Sequence, residues 1–102
     1  MNKPKVKWSP LMRERMAFLK DQFPAKYQEM KDNGTLMNHL LEVDEQYGEI
    51  ASKTYRNLLI KWEKDNNTKI SDLYLLKQLE VRNLIESQTK EIAYELVIYA
   101  KI

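Results

Sequence analysis

From Leu36 to Ile50 the chain places Leu36, Leu40, Val43, Tyr47 and Ile50 at alternating four- and three-residue steps, and Thr54, Leu58 and Trp62 extend the series. A strand alternates its faces every two residues, so only a helix gathers this set on one side, as the seam of a coiled-coil-like contact. If unbroken to about Lys64, the helix is a rod on the order of 42–45 Å long. A rod with one apolar seam must bury that seam against another element. Gly48 interrupts it at a cost of about 1 kcal/mol relative to alanine, which marks a bend or a close helix crossing.

The remaining segments are also helical. With two glycines and three prolines in 102 residues, the chain has little turn chemistry for a β protein. Ser9-Pro10 opens a first helix, with Ser9 as N-cap and Pro10 at the first helical position. Met12, Met16, Leu19 and Phe23 are its expected core face. Pro24 drives Phe23 out of the α region and starts a short second helix carrying Tyr27 and Met30. Asn33-Gly34 ends that helix, and Thr35 caps the third. Asp65-Asn66-Asn67 reads as a loop, after which Thr68 or Ser71 caps a fourth helix running to the C-terminus. Leu73, Leu76, Leu79, Leu84, Ile85, Ile92, Leu96 and Tyr99 are its apolar positions. The expected fold is all-α: one helical domain over residues 1–102, two short N-terminal helices packed on a long antiparallel helical hairpin. Residues 1–8 form an extended basic arm. The apolar C-terminal stretch is expected either in the core or in a homodimer interface.

Composition excludes several functions. There is no cysteine, hence no disulfide, thiolate nucleophile or Cys-based zinc site. No apolar run approaches the roughly 20 residues of a membrane-spanning helix, and the N-terminus lacks a signal-peptide core. A cytoplasmic protein without membrane contact is expected. No Gly-rich phosphate loop, catalytic triad set or zinc spacing occurs, so we expect a non-enzymatic protein with no cofactor. The net charge of +2 conceals segregation. Residues 1–26 hold seven cations and two anions, residues 27–51 one cation and six anions, and residues 52–102 nine cations and seven anions. Such a distribution creates a field with two poles.

A family signature overlies this pattern. Leu19-Lys20, Pro24, Tyr27, Gly34-Thr35-Leu36, His39-Leu40 and Val43-Asp44-Glu45-Gln46, with Glu91-Ile92 and Ile98-Tyr99-Ala100 near the end, resemble the TnpV family of transposon-encoded proteins. The likeness covers roughly residues 13–50 and 83–100. Between these stretches Gln78, Arg82 and Asn83 stand where the family usually carries a tryptophan and a Met-Asn pair. The resemblance implies carriage on a bacterial mobile element and a role as a small accessory protein. It implies no defined biochemistry.

Four sets of residues are candidates for function. Glu42, Asp44, Glu45 and Glu49 form an acidic helix face, which is either a solvated surface or a contact for an Arg/Lys-rich protein channel. Lys3, Lys5, Lys7 and Trp8, with Arg13 and Arg15, combine cations with an aromatic, as in phosphate contact plus base stacking. The alternative is a solubilising N-terminus with Trp8 packed on the first helix. Tyr55 and Trp62 are either core or interface aromatics. His39, with Glu42 and Glu45 at helical spacing, resembles a metal or acid–base set. Carboxylate sites in bundles place histidine second and draw on several helices, so a surface or capping histidine is the expectation.

These residues lead to a mobile-element accessory protein that binds a protein or nucleoprotein partner. Its sharper form is an anti-CRISPR-like inhibitor that blocks the nucleic-acid channel of a Cas nuclease with the acidic face. The alternative is an excisionase-like recombination factor that contacts DNA or RNA through the basic arm.

Overall fold

The computed structural model describes residues 8–101; the arm residues Lys3, Lys5 and Lys7 lie outside them. Every regular element among the described residues is helical: α1 (Pro10–Gln22), α2 (Pro24–Asp32), α3 (Leu36–Asn66), a 3₁₀ turn (Ile70–Asp72), α4 (Leu75–Ala93) and a π-helical segment (Tyr94–Ile98).

Local chemistry explains most boundaries. Ser9 Oγ accepts from the Met12 amide at 3.2 Å and donates to Asp44 Oδ1 at 2.7 Å, so one hydroxyl caps α1 and ties it to α3. Pro10 and Pro24 occupy first-turn positions in α1 and α2, where a missing N–H costs no bond. Both α2 and α3 close through a left-handed residue. Gly34 (φ 76°) lets the Thr35 amide reach Met30 O, and Asn67 (φ 48°) lets the Thr68 amide reach Glu63 O.

Thr35 sits at the N-cap position of α3 but does not cap it by side chain. Its hydroxyl donates to Asn33 Oδ1 at 2.6 Å instead. Neither Thr68 nor Ser71 caps α4. The 3₁₀ turn consumes that stretch, α4 starts at Leu75, and Gln78 Nε2 covers the Leu73 carbonyl. α3 is continuous through Gly48, and nothing lies within 4 Å of where a Cβ would stand there. The glycine therefore marks no helix crossing.

Two apolar clusters hold α3 and α4 together. Val43 of α3 meets Val97 and Ile98 of the π-helical segment, with Leu11, Tyr47, Ile50 and Tyr94 packed around them. Farther along α3, Tyr55, Leu58, Leu59 and Trp62 pack on Ile70, Val81 and Ile85. The first half of α3 thus meets the chain after α4, and its second half meets the 3₁₀ turn and the middle of α4. The apolar C-terminal stretch docks in the core, with Val97 4% and Ile98 0% exposed.

The layer is thin. Its extents are 54 × 35 × 17 Å, and its radius of gyration is 17.9 Å, against about 13 Å for a compact domain of this length. One neighbour gives α4 one face to bury. That face is Val81, Ile85, Thr89 and Ala93, repeating every four residues. Of the apolar positions read for the fourth helix, Ile85 is buried and Leu73 half-buried, while Leu76, Leu79, Leu84, Ile92, Leu96 and Tyr99 are exposed. The helix carries more apolar residues than one partner helix can cover. The same thinness changes α1, whose buried positions are Met12, Arg15 and Leu19, with Met16 and Phe23 half-buried.

Candidate functional site

The acidic face of α3 divides on inspection of its partners. Glu42, Glu45 and Glu49 are exposed at three- and four-residue spacing, which places them on one side of the helix. None forms an ion pair among the described residues, whose two salt bridges are Lys26–Glu29 and Lys77–Glu80. Asp44 is half-buried and holds the Ser9 hydroxyl. It belongs to the α1–α3 junction rather than to the free acidic surface. Past Glu49 the sign of the helix changes, since Lys53, Arg56, Lys61 and Lys64 outnumber Glu63 and Asp65. α3 is therefore a rod with an acidic first half and a basic second half.

Arg15 is removed from the candidate nucleic-acid set. It is 3% exposed. Its Nη1 donates to Ile98 O at 2.9 Å and to Ala100 O at 2.6 Å, and its Nε donates to His39 Nε2 at 3.3 Å. The guanidinium also lies 5.4 Å from the centre of the Phe18 ring. A planar donor fork is suited to several acceptors at once, and here it holds the chain end that follows the π-helical segment. Burial lowers the Arg15 pKa from its ordinary value. Arg13 and Trp8 are exposed, Trp8 to 38%, so the part of the basic set that can be described is these two.

His39 is half-buried rather than at the surface. Its Nε2 is the acceptor for Arg15, which leaves that nitrogen unavailable to a metal. Burial lowers its pKa, the Arg15 charge lowers it further, and Glu42 opposes both. Among the described residues no group of three His, Asp or Glu side chains is placed to hold a metal ion. Nearby, Tyr47 and Tyr94 meet edge to face with centroids 5.6 Å apart. Burial raises the pKa of both phenols, and the Glu14 carboxylate adds to the shift.

Tyr55 and Trp62 do not form one surface. Both are half-buried against the Ile70 cluster, and each lines a different open groove beside α4. Tyr55 shares a groove of about 830 Å³ with Tyr47, Arg56 and Lys90. Trp62 shares one of about 420 Å³ with Leu58, Leu84 and Ile92.

Two features escaped the sequence reading. Arg15 follows Met12 by three residues and precedes Leu19 by four, a core spacing that could have flagged it. Tyr74, Leu75, Leu76 and Leu79 are strongly exposed. The unbroken run Leu73-Tyr74-Leu75-Leu76 carried that signal, because four consecutive residues cannot share one helix face.

No family model, curated protein or solved structure matches this chain. Among the described residues, no helix is long and apolar enough to cross a membrane.

Proposed function

We propose that this chain is a non-enzymatic accessory protein of a mobile element that works by occupying a basic surface on a protein or nucleoprotein partner. The observation that carries the proposal is the exposed row Glu42, Glu45 and Glu49 on one side of the first half of α3, which forms no ion pair among the described residues. Carboxylates spaced along a rod can follow an Arg/Lys-lined channel and displace a phosphate backbone from it. The reading takes α3 and α4 as the antiparallel arms of a hairpin, supported by the order of their contacts. That hairpin stiffens the acidic row. In its sharper form the partner is a host defence nuclease in the cytoplasm, a Cas effector being the type expected, and the chain blocks its nucleic-acid channel. The TnpV resemblance supports the mobile-element setting.

The test is interference against an incoming phage or plasmid in cells that express this chain. Wild type should relieve interference, and Glu42→Lys/Glu45→Lys/Glu49→Lys should lose that effect while remaining folded. Unchanged interference with the wild-type chain would sink the counter-defence form. The excisionase-like alternative loses Arg15, whose side chain is engaged inside the fold.

A further inference from the structure

The two apolar clusters leave a gap between them. On α3 the first cluster ends at Ile50 and the second begins at Tyr55; on the returning chain the second stops at Ile85 and the first resumes at Tyr94. Ala51 and Ser52 of α3 and Thr89 of α4 line that gap, and their small side chains leave the groove of about 830 Å³ open. This volume is within the roughly 300–1,000 Å³ of small-molecule sites. Thr89 is 6% exposed, and its Oγ1 has no hydrogen-bond partner. A helical threonine ordinarily bonds back to a carbonyl of the preceding turn, and buried hydroxyls in native proteins are almost always paired. Among the described residues it is the one buried side-chain polar atom left without a partner. Threonine in a helix has two accessible χ1 rotamers, so this hydroxyl can turn to a ligand that offers an acceptor.

The walls of the groove add aromatic and charged groups. Tyr47 and Tyr55 both line it and are half-buried, roughly 12 Å apart along the axis of α3. Arg56 comes from α3 and Lys90 from α4, with Glu86 as the lining anion, so two cations and one anion leave one positive charge. None of the three forms an ion pair among the described residues. Lys90 Nζ lies 5.5 Å from the centre of the Tyr94 ring, which itself meets Tyr47. The ammonium is therefore held near the Tyr47 end of the groove. We propose that the groove binds a small planar aromatic carboxylate. Its rings lie against Tyr47 and Tyr55, its carboxylate takes charge-assisted hydrogen bonds from Arg56 and Lys90, and the Thr89 hydroxyl donates to it. The single surplus positive charge suits a monoanion better than a phosphate dianion. These residues are separate from Glu42, Glu45 and Glu49, so this proposal and the functional reading fail independently.

Titration of the full chain with naphthoate, followed by amide NMR, tests the proposal. Shifts at Ala51, Ser52, Arg56, Thr89 and Lys90 should saturate with a Kd below about 1 mM. Naphthalene carboxamide, the neutral counterpart, should bind about tenfold more weakly, and Arg56→Gln/Lys90→Gln should weaken naphthoate binding by a similar factor. Thr89→Val keeps the shape and removes the hydroxyl. It should not lower the urea midpoint of the free protein, yet it should weaken naphthoate binding severalfold. Leu75→Glu/Leu79→Glu removes the exposed leucines at the start of α4 and should bind as wild type does. The absence of saturable shifts at the groove overturns the proposal. So does equal binding of the carboxamide, equal binding by Arg56→Gln/Lys90→Gln, or binding lost with Leu75→Glu/Leu79→Glu. Thr89→Val binding as tightly as wild type overturns the role given to the hydroxyl.

Discussion

Replacing Arg15 by alanine should destabilise this protein far more than the loss of a surface charge. The side chain is 3% exposed and supplies three hydrogen bonds, to Ile98 O, Ala100 O and His39 Nε2. Removing the donor leaves the two carbonyls unpaired where water reaches poorly, at about 1–3 kcal/mol for a fully buried acceptor. Ile98 O sits in a buried bond and bears the full cost, whereas Ala100 O is partly accessible and bears less. The guanidinium stem also fills space beside Met12 and Leu19. The sum is about 2–4 kcal/mol, out of a total stability of about 5–15 kcal/mol for a chain of this length. Urea denaturation followed by circular dichroism measures it as a lower midpoint at unchanged slope. Arg15→Lys should recover only part, because one ammonium cannot reproduce the planar fork. Hydrogen exchange should also accelerate at Val97–Ala100 before the rest of the molecule opens. A midpoint change equivalent to less than about 0.5 kcal/mol, the range of ordinary surface substitutions, would refute the clamp.

Further expectations concern neighbouring features. His39 takes up its proton at a lower pH in the folded protein than the ordinary 6.5, so the unfolded chain binds more protons just below that value. Stability should therefore be complete above pH 6.5 and fall as the pH drops toward the lowered folded value. His39→Gln, which keeps an acceptor but does not titrate, should flatten that slope in urea midpoints; an equal slope in both proteins contradicts the assignment. Gly48→Ala should raise stability by about 0.5–1 kcal/mol, since the site is helical, exposed and open. A lowered thermal midpoint would contradict this. Ser9→Ala should cost about 1 kcal/mol by removing the α1 cap. Asp44→Ala should cost less, because the cap to Met12 persists without it, and a larger loss in Asp44→Ala would reverse that ranking.

The helical class and the starts of the first three helices were legible in sequence because they rest on local chemistry: the Ser9-Pro10 cap, Pro24 after Phe23, and Gly34 with its positive φ. Boundaries near residue 70 were not, since Ile70 is drawn into the core and Glu63 Oε2 accepts its amide at 2.8 Å. That contact spans two elements and leaves no periodic trace. The leucines of α4 misled for a different reason. Hydrophobic spacing shows which residues prefer burial, but the number of neighbouring elements decides how many achieve it. Asp44 and Arg15 show the same limit at the candidate site. Their charge is visible in the sequence, whereas the Ser9 hydroxyl and the Ile98 carbonyl that engage them lie 35 and 83 residues away.

The central claim is that the row Glu42, Glu45 and Glu49 docks on a basic protein surface. Affinity capture from cells that express this chain, before and after nuclease digestion, tests it most directly when wild type is compared with Glu42→Lys/Glu45→Lys/Glu49→Lys. The account predicts a protein partner that survives digestion, is released as salt rises, and is lost with the charge-reversed chain. A partner that disappears on digestion, or one held equally well by both chains, would contradict it.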